Sequence, residues 1–85
     1  MSADQLKATR EAAGMTQKEM AMAMGLGNTA YQDIETGFDK FKGRHLLALE
    51  RVSLRLAVER QDLNLALPSV RRDALDFALM IRGVE

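Results

Sequence analysis

Asn28, Thr29, Gln32, Asp33 and Thr36 recur at the spacing of one outward helix face in the stretch NTAYQDIET. All five carry hydrogen-bonding groups and only Asp33 carries charge. Asn and Gln each pair a donor with an acceptor, the pattern that matches adenine in the major groove. Thr can meet a thymine methyl, and Asp can accept from a cytosine amino group. Such a face can read base edges. It lacks the cations that attract phosphate: from Met20 through Asp39 there is no Lys or Arg, while Asp33, Glu35 and Asp39 are acidic. Phosphate attraction supplies most non-specific affinity, so it must come from the flanks. Gln17 can hydrogen-bond a phosphate at a helix N-terminus, where the dipole helps. Lys18 is adjacent, and Lys40, Lys42 and Arg44 follow the polar face. The other reading of these residues is a plain solvated surface.

Positioning these side chains requires helices. Helix one is expected from about Ala3 to Ala13, with Leu6, Thr9, Arg10 and Ala13 on one face. Thr16-Gln17-Lys18-Glu19 is a capping box that starts helix two, in which the Thr16 hydroxyl accepts from the Glu19 amide and the Glu19 carboxylate reaches back. Met20, Ala21 and Met24 form its inner face, and Gly25 ends it at about Met24. Leu26 is expected to plug the core from the turn. Helix three runs from about Asn28 to Thr36, with Ala30, Tyr31 and Ile34 inward and Gly37 as its stop. FDKFKG is a loop with two aromatic anchors. Helix four runs from near Arg44 to Gln61, and Pro68 opens helix five.

At 85 residues the chain is expected to form one small domain, residues 1–43 holding the first three helices and 44–85 the last two. A chain this short buries roughly 60% of its unfolded surface. Ala, Leu, Met, Glu, Arg and Gln dominate, so the fold class is all-α, a five-helix bundle. No cysteine is present, which removes disulfides and thiolate ligands and suits a reducing cytoplasm. No apolar run approaches the ~20 residues that span a bilayer, and the N-terminal stretch has no apolar core of a signal peptide. A cytoplasmic protein with no membrane partner is expected. The net charge is zero, with neither half a block of one sign, and this weighs against a strong electrostatic footprint on nucleic acid.

Counted from Gln17, a small residue stands fifth (Ala21), Gly ninth (Gly25), and apolar residues fourth, eighth, tenth and eighteenth (Met20, Met24, Leu26, Ile34). Ala21 permits close helix approach, Gly25 takes the turn, and the apolar set locks a steep crossing that lets helix three stand proud of the surface. On these residues, LKATREAAGMTQKEMAMAMGLGNTAYQDIETG resembles the helix-turn-helix of phage Cro/cI and XRE-type bacterial regulators. The resemblance covers about residues 5–58 and implies a lambda-repressor-like fold that binds double-stranded DNA. It also implies a structural pair between Arg10 and Glu35; the alternative for Glu35 is an unpaired surface carboxylate. Two positions depart from the family. Tyr31 stands where a smaller aliphatic is usual, so its hydroxyl needs a partner or a path to the surface. Gly27 stands where Ser or Thr usually caps helix three, leaving Asn28 to take that role.

Met15, Met20 and Met24 are expected in the core; Met22 points outward, as a partner contact or an idle side chain. His45 has no second ligand nearby, Gly25-x-Gly27 is no phosphate loop, and no catalytic grouping stands out. No enzyme activity, metal or cofactor is expected. The apolar surface of helices four and five exceeds one small core. Leu49, Val52, Leu56, Phe77 and Ile81 are therefore expected to form a homodimer interface, unless helix five folds back on helix four. The function these residues imply is a sequence-specific transcriptional regulator reading the major groove with helix three. The alternative is the same fold kept as a protein-interaction module, an antitoxin or adaptor with a protein partner and weak or no DNA binding.

Overall fold

Helix-forming runs separated by turn residues divide the chain into α1 (Ala3–Ala12), α2 (Gln17–Met24), α3 (Asn28–Thr36), α4 (Gly43–Arg60) and α5 (Pro68–Gly83), with one 3-10 turn at Leu63–Leu65. The computed structural model describes residues 3–83 and contains no strand among them. α2 starts as its capping box requires: the Glu19 amide donates to Thr16 Oγ1 at 3.1 Å, and the Thr16 amide donates to Glu19 Oε1 at 2.8 Å. It stops at Gly25, whose φ of 74° is a left-handed conformation that only glycine adopts cheaply. α3 ends the same way at Gly37.

The first core lies where α1, α2, α3 and α4 converge. Leu6, Met20, Ala21, Tyr31, Ile34 and Leu49 are buried there, and Met15, Met24, Leu26, Phe41 and Val52 pack around them. Burying each large side chain contributes about 1.5–3 kcal/mol before entropy is counted. Leu26 thus plugs the turn as its type demands, and Met22 faces solvent. Two expectations for α3 need correcting. Ala30 is exposed, because α3 meets the core only along the line of Tyr31 and Ile34, one turn apart. Asn28 does not cap α3: the N-cap is Gly27, with no side-chain bond, and Asn28 is the first helical residue.

A second core follows along α4. Leu56 and Ala57 bury against Leu65 and Ala66 of the connector, with Val52, Leu54 and Val70 beside them. Leu49 and Leu56, expected at a dimer interface, are therefore interior residues of one chain, and Val52 packs against both cores. The physical reason is that Leu49 is already covered by α1, α2 and α3 in the first core and Leu56 by the connector, so this α4 stripe is packed within one chain.

The connector also roots α5. Ser53, fully buried, donates to the Glu50 carbonyl at 2.8 Å and accepts from the Leu67 amide at 3.1 Å. Ser69 bonds Glu50, and Arg71 Nη2 donates to the Ala66 carbonyl at 3.1 Å. Beyond this root, only Val70 and Ala74 of α5 are even partly covered. The helix leaves the body, and the molecule extends to 49 × 23 × 19 Å.

Candidate functional site

Arg10 projects from α1 into the angle between α2 and α3. Its Nη2 and Nε donate to Glu35 Oε1 and Oε2 at 2.8 and 3.1 Å, and its Nη1 donates to the Met15 carbonyl at 3.1 Å. The side chains are 15% and 4% exposed, so the pair is largely withdrawn from water. Burial, the largest single influence, would raise the Glu35 carboxyl, but the hydrogen bonds from Arg10 and Gln17, the adjacent Tyr31 hydroxyl and the Arg10 charge together outweigh it and hold the pKa below the ordinary value. Glu35 therefore adds little negative charge to the outer face of α3.

Tyr31 lies fully buried beside this pair. Its hydroxyl neighbours Glu35 and Arg10 yet makes no hydrogen bond of good geometry. Burial first, and the adjacent carboxylate second, push the phenol well above its usual pKa. The hydroxyl thus has neither a well-aligned partner nor a path to the surface.

From Glu35 a chain of polar side chains leads outward. Gln17 Nε2 donates to Glu35 Oε1 at 3.4 Å, and Gln32 Nε2 donates to Gln17 Oε1 at 3.3 Å. The start of α2 and the outer face of α3 are thereby joined into one surface. Asn28, Thr29 and Gln32 are exposed on it. Thr36 is exposed as well, but its Oγ1 donates back to the Gln32 carbonyl at 2.9 Å, which engages its proton inside the helix. Asp33 is half-buried, and no cation pairs with it among the described residues.

The flanking groups stand as the sequence orders them. Gln17 is half-buried by its bonds, while Lys18, Lys40, Lys42 and Arg44 are exposed on the segments that bracket α3. Thr16 occupies the Glu19 amide, so the Gln17 and Lys18 amides remain at the positive end of α2. His45 starts α4 from inside: its Nδ1 accepts the Lys42 amide at 2.9 Å and its ring is buried against Phe41. Because Nδ1 accepts, the ring proton sits on Nε2, and burial, with the nearby Arg44 and Lys42 cations, holds the pKa below its ordinary value. This capping role has no signal in the sequence beyond a lone histidine. The Gln17–Gln32 bond is equally unannounced, because their 15-residue separation becomes contact only through the α2–α3 crossing angle.

The arrangement offers a hydrogen-bonding helix face, with Asp33 its one charged residue, flanked by cations and backed by a largely buried ion pair. No curated protein and no solved structure matches the chain. The family model described as Helix-turn-helix matches residues 6–52, more than half of the chain and all of α2 and α3. The chain belongs to the helix-turn-helix family of Cro/cI and XRE type, a family of DNA-binding regulators.

Proposed function

We propose that this protein is a sequence-specific transcriptional regulator that reads the major groove with α3 and binds as a homodimer. The observation that carries this reading is the union of two chemistries on one surface. Gln17, at the α2 N-terminus where a phosphate is favoured, touches Gln32, the central side chain of the reading face. Asn28, Thr29, Gln32 and Asp33 supply base readout, and Thr36 adds its methyl group. Gln17 and Lys18 take one phosphate strand, with Lys40, Lys42 and Arg44 on the other. The second copy meets the first through α5, where Phe77 and Ile81 are 64% and 56% exposed. A two-fold dimer would set its reading helices about 34 Å apart, one turn of duplex.

The competing reading, a protein-interaction module, draws on one observation: the outer face of α3 carries an unpaired Asp33 and no cation. A salt titration of fluorescence anisotropy on duplex DNA separates the two. Binding that weakens steeply with salt supports the regulator, and negligible binding at low salt rejects it in favour of the module.

A further inference from the structure

α5 stands away from α4 and leaves a groove of about 340 Å³ between them. Leu54, Ala57 and Val58 of α4 form one wall, Ala74, Leu75 and Ala78 of α5 the other, and the connector lines it as well. The volume lies at the low end of the roughly 300–1,000 Å³ of binding pockets. It has room for the side chains along one edge of a helix. The charges around the groove have one sign. Arg71 is the single charged residue of the lining, and its Nη2 is held on the Ala66 carbonyl at 3.1 Å. Arg51 extends the α4 wall one turn before Leu54, and Arg82 extends the α5 wall one turn after Ala78; both are exposed. Neither Arg51 nor Arg71 makes an ion pair among the described residues. Asp73 and Asp76 of α5 fall outside the lining, and Glu59 of α4 is engaged by Arg55 at 3.2 Å. Residues 44–85 hold seven Arg and no Lys. The planar guanidinium, unlike the Lys ammonium, can grip a carboxylate with two bonds at once.

We propose that this groove is the docking site for an acidic amphipathic helix of a partner protein, whose apolar edge enters between α4 and α5 while its carboxylates meet Arg51, Arg71 and Arg82. The charges favour this occupant over the others. A second copy offers α5, in which Arg71, Arg72 and Arg82 outnumber Asp73 and Asp76, and so brings like charge to the arginines. Phe77 and Ile81, assigned above to the homodimer, do not line the groove, which leaves it a separate surface. A nucleic-acid backbone supplies anions but no apolar side chains to fill the groove. A flat membrane surface does not enter a concave site. The acidic helix supplies both the apolar edge and the carboxylates.

Two synthetic peptides of about 18 residues, long enough to hold a helix, test this by fluorescence anisotropy on the full chain. Both carry Leu at i, i+3, i+4 and i+7 along one edge; one has Glu on both margins of that edge and its twin has Lys. The Glu peptide should bind more tightly than the Lys peptide, by on the order of tenfold at low salt, and the difference should shrink as salt rises. Leu75 is 58% exposed, so Leu75→Glu leaves the fold intact, which circular dichroism checks, and should abolish binding of the Glu peptide. Arg51→Glu/Arg82→Glu leaves the Arg71–Ala66 bond in place and should reverse the preference toward the Lys peptide. Equal binding of the two peptides overturns the proposal, because it reports apolar adhesion alone. So does failure of the Glu peptide to bind wild type, or its undiminished binding to Leu75→Glu. If the Glu peptide converts a dimer into monomers in light scattering, a second copy fills the groove and the proposal falls. It also falls if phosphatidylglycerol vesicles displace the peptide from wild type, which assigns the groove to a membrane.

Discussion

Arg10 and Glu35 stand 25 residues apart in the chain and meet through two hydrogen bonds of 2.8 and 3.1 Å. The pair ties α1 to α3 and fixes the base of the reading helix. Removing one partner strands the other in a site with little water. Arg10→Met should therefore cost about 3 kcal/mol in urea unfolding, while the double variant Arg10→Met/Glu35→Met should recover much of that loss. A double variant no better than the single would deny the pair its structural role.

The same pair makes stability depend on acid. The folded pKa of Glu35 lies below the ordinary value of 4.5, so its contribution is complete above 4.5 and is lost as pH falls through the folded value. Unfolding free energy measured across that window should drop more steeply for wild type than for Glu35→Gln. Parallel curves would contradict the assignment.

His45 acts in a higher window by the same sign. Its folded pKa is lowered from 6.5, so its contribution is complete above 6.5 and declines as pH falls toward the folded value. Thermal melts between pH 7 and 5 should show a wild-type loss that His45→Gln lacks.

Tyr31 carries a buried hydroxyl with no well-aligned partner, which costs free energy that a phenyl ring would not. Tyr31→Phe should be neutral or more stable by up to about 1 kcal/mol. A clear loss of stability would show that the hydroxyl bonds to Glu35 in solution.

For the proposed DNA complex, Lys40→Ala and Lys42→Ala should weaken binding on all sequences alike. Each should reduce the salt slope by about 1, the value of one phosphate contact. Loss confined to one sequence would place these residues on bases instead.

For the proposed dimer, Phe77→Glu or Ile81→Glu should leave the 9.5 kDa chain monomeric in light scattering at micromolar concentration, where wild type gives twice that mass. A monomeric wild type would remove α5 from the interface.

Local chemistry is legible in the order of residues along the chain. Thr16 and Glu19 announce the α2 start because a capping box acts within four residues. Gly25 and Gly37 mark the stops because positive φ is a property of single residues. The spacing of Met20, Ala21, Gly25, Leu26 and Ile34 encodes one crossing of two helices, and it carries the family resemblance and, with it, the Arg10–Glu35 pair. Asn28 misleads because a good capping residue cannot tell from composition alone whether it sits at the cap or one position inside.

By itself, then, the sequence determined the helices, most of their ends and the α1–α3 part of the first core, since hydrophobic period and turn chemistry are written along the chain. Tertiary structure alone decided what long-range packing decides. It sent Leu49 into the first core against α1–α3, and Leu56 inward beneath the Leu65–Ala66 connector. It left Phe77 and Ile81 bare, because α5 departs from its root. It also joined Gln17 to Gln32, turning two separate polar residues into one oriented surface, because only the angle between α2 and α3 brings them within 3.3 Å.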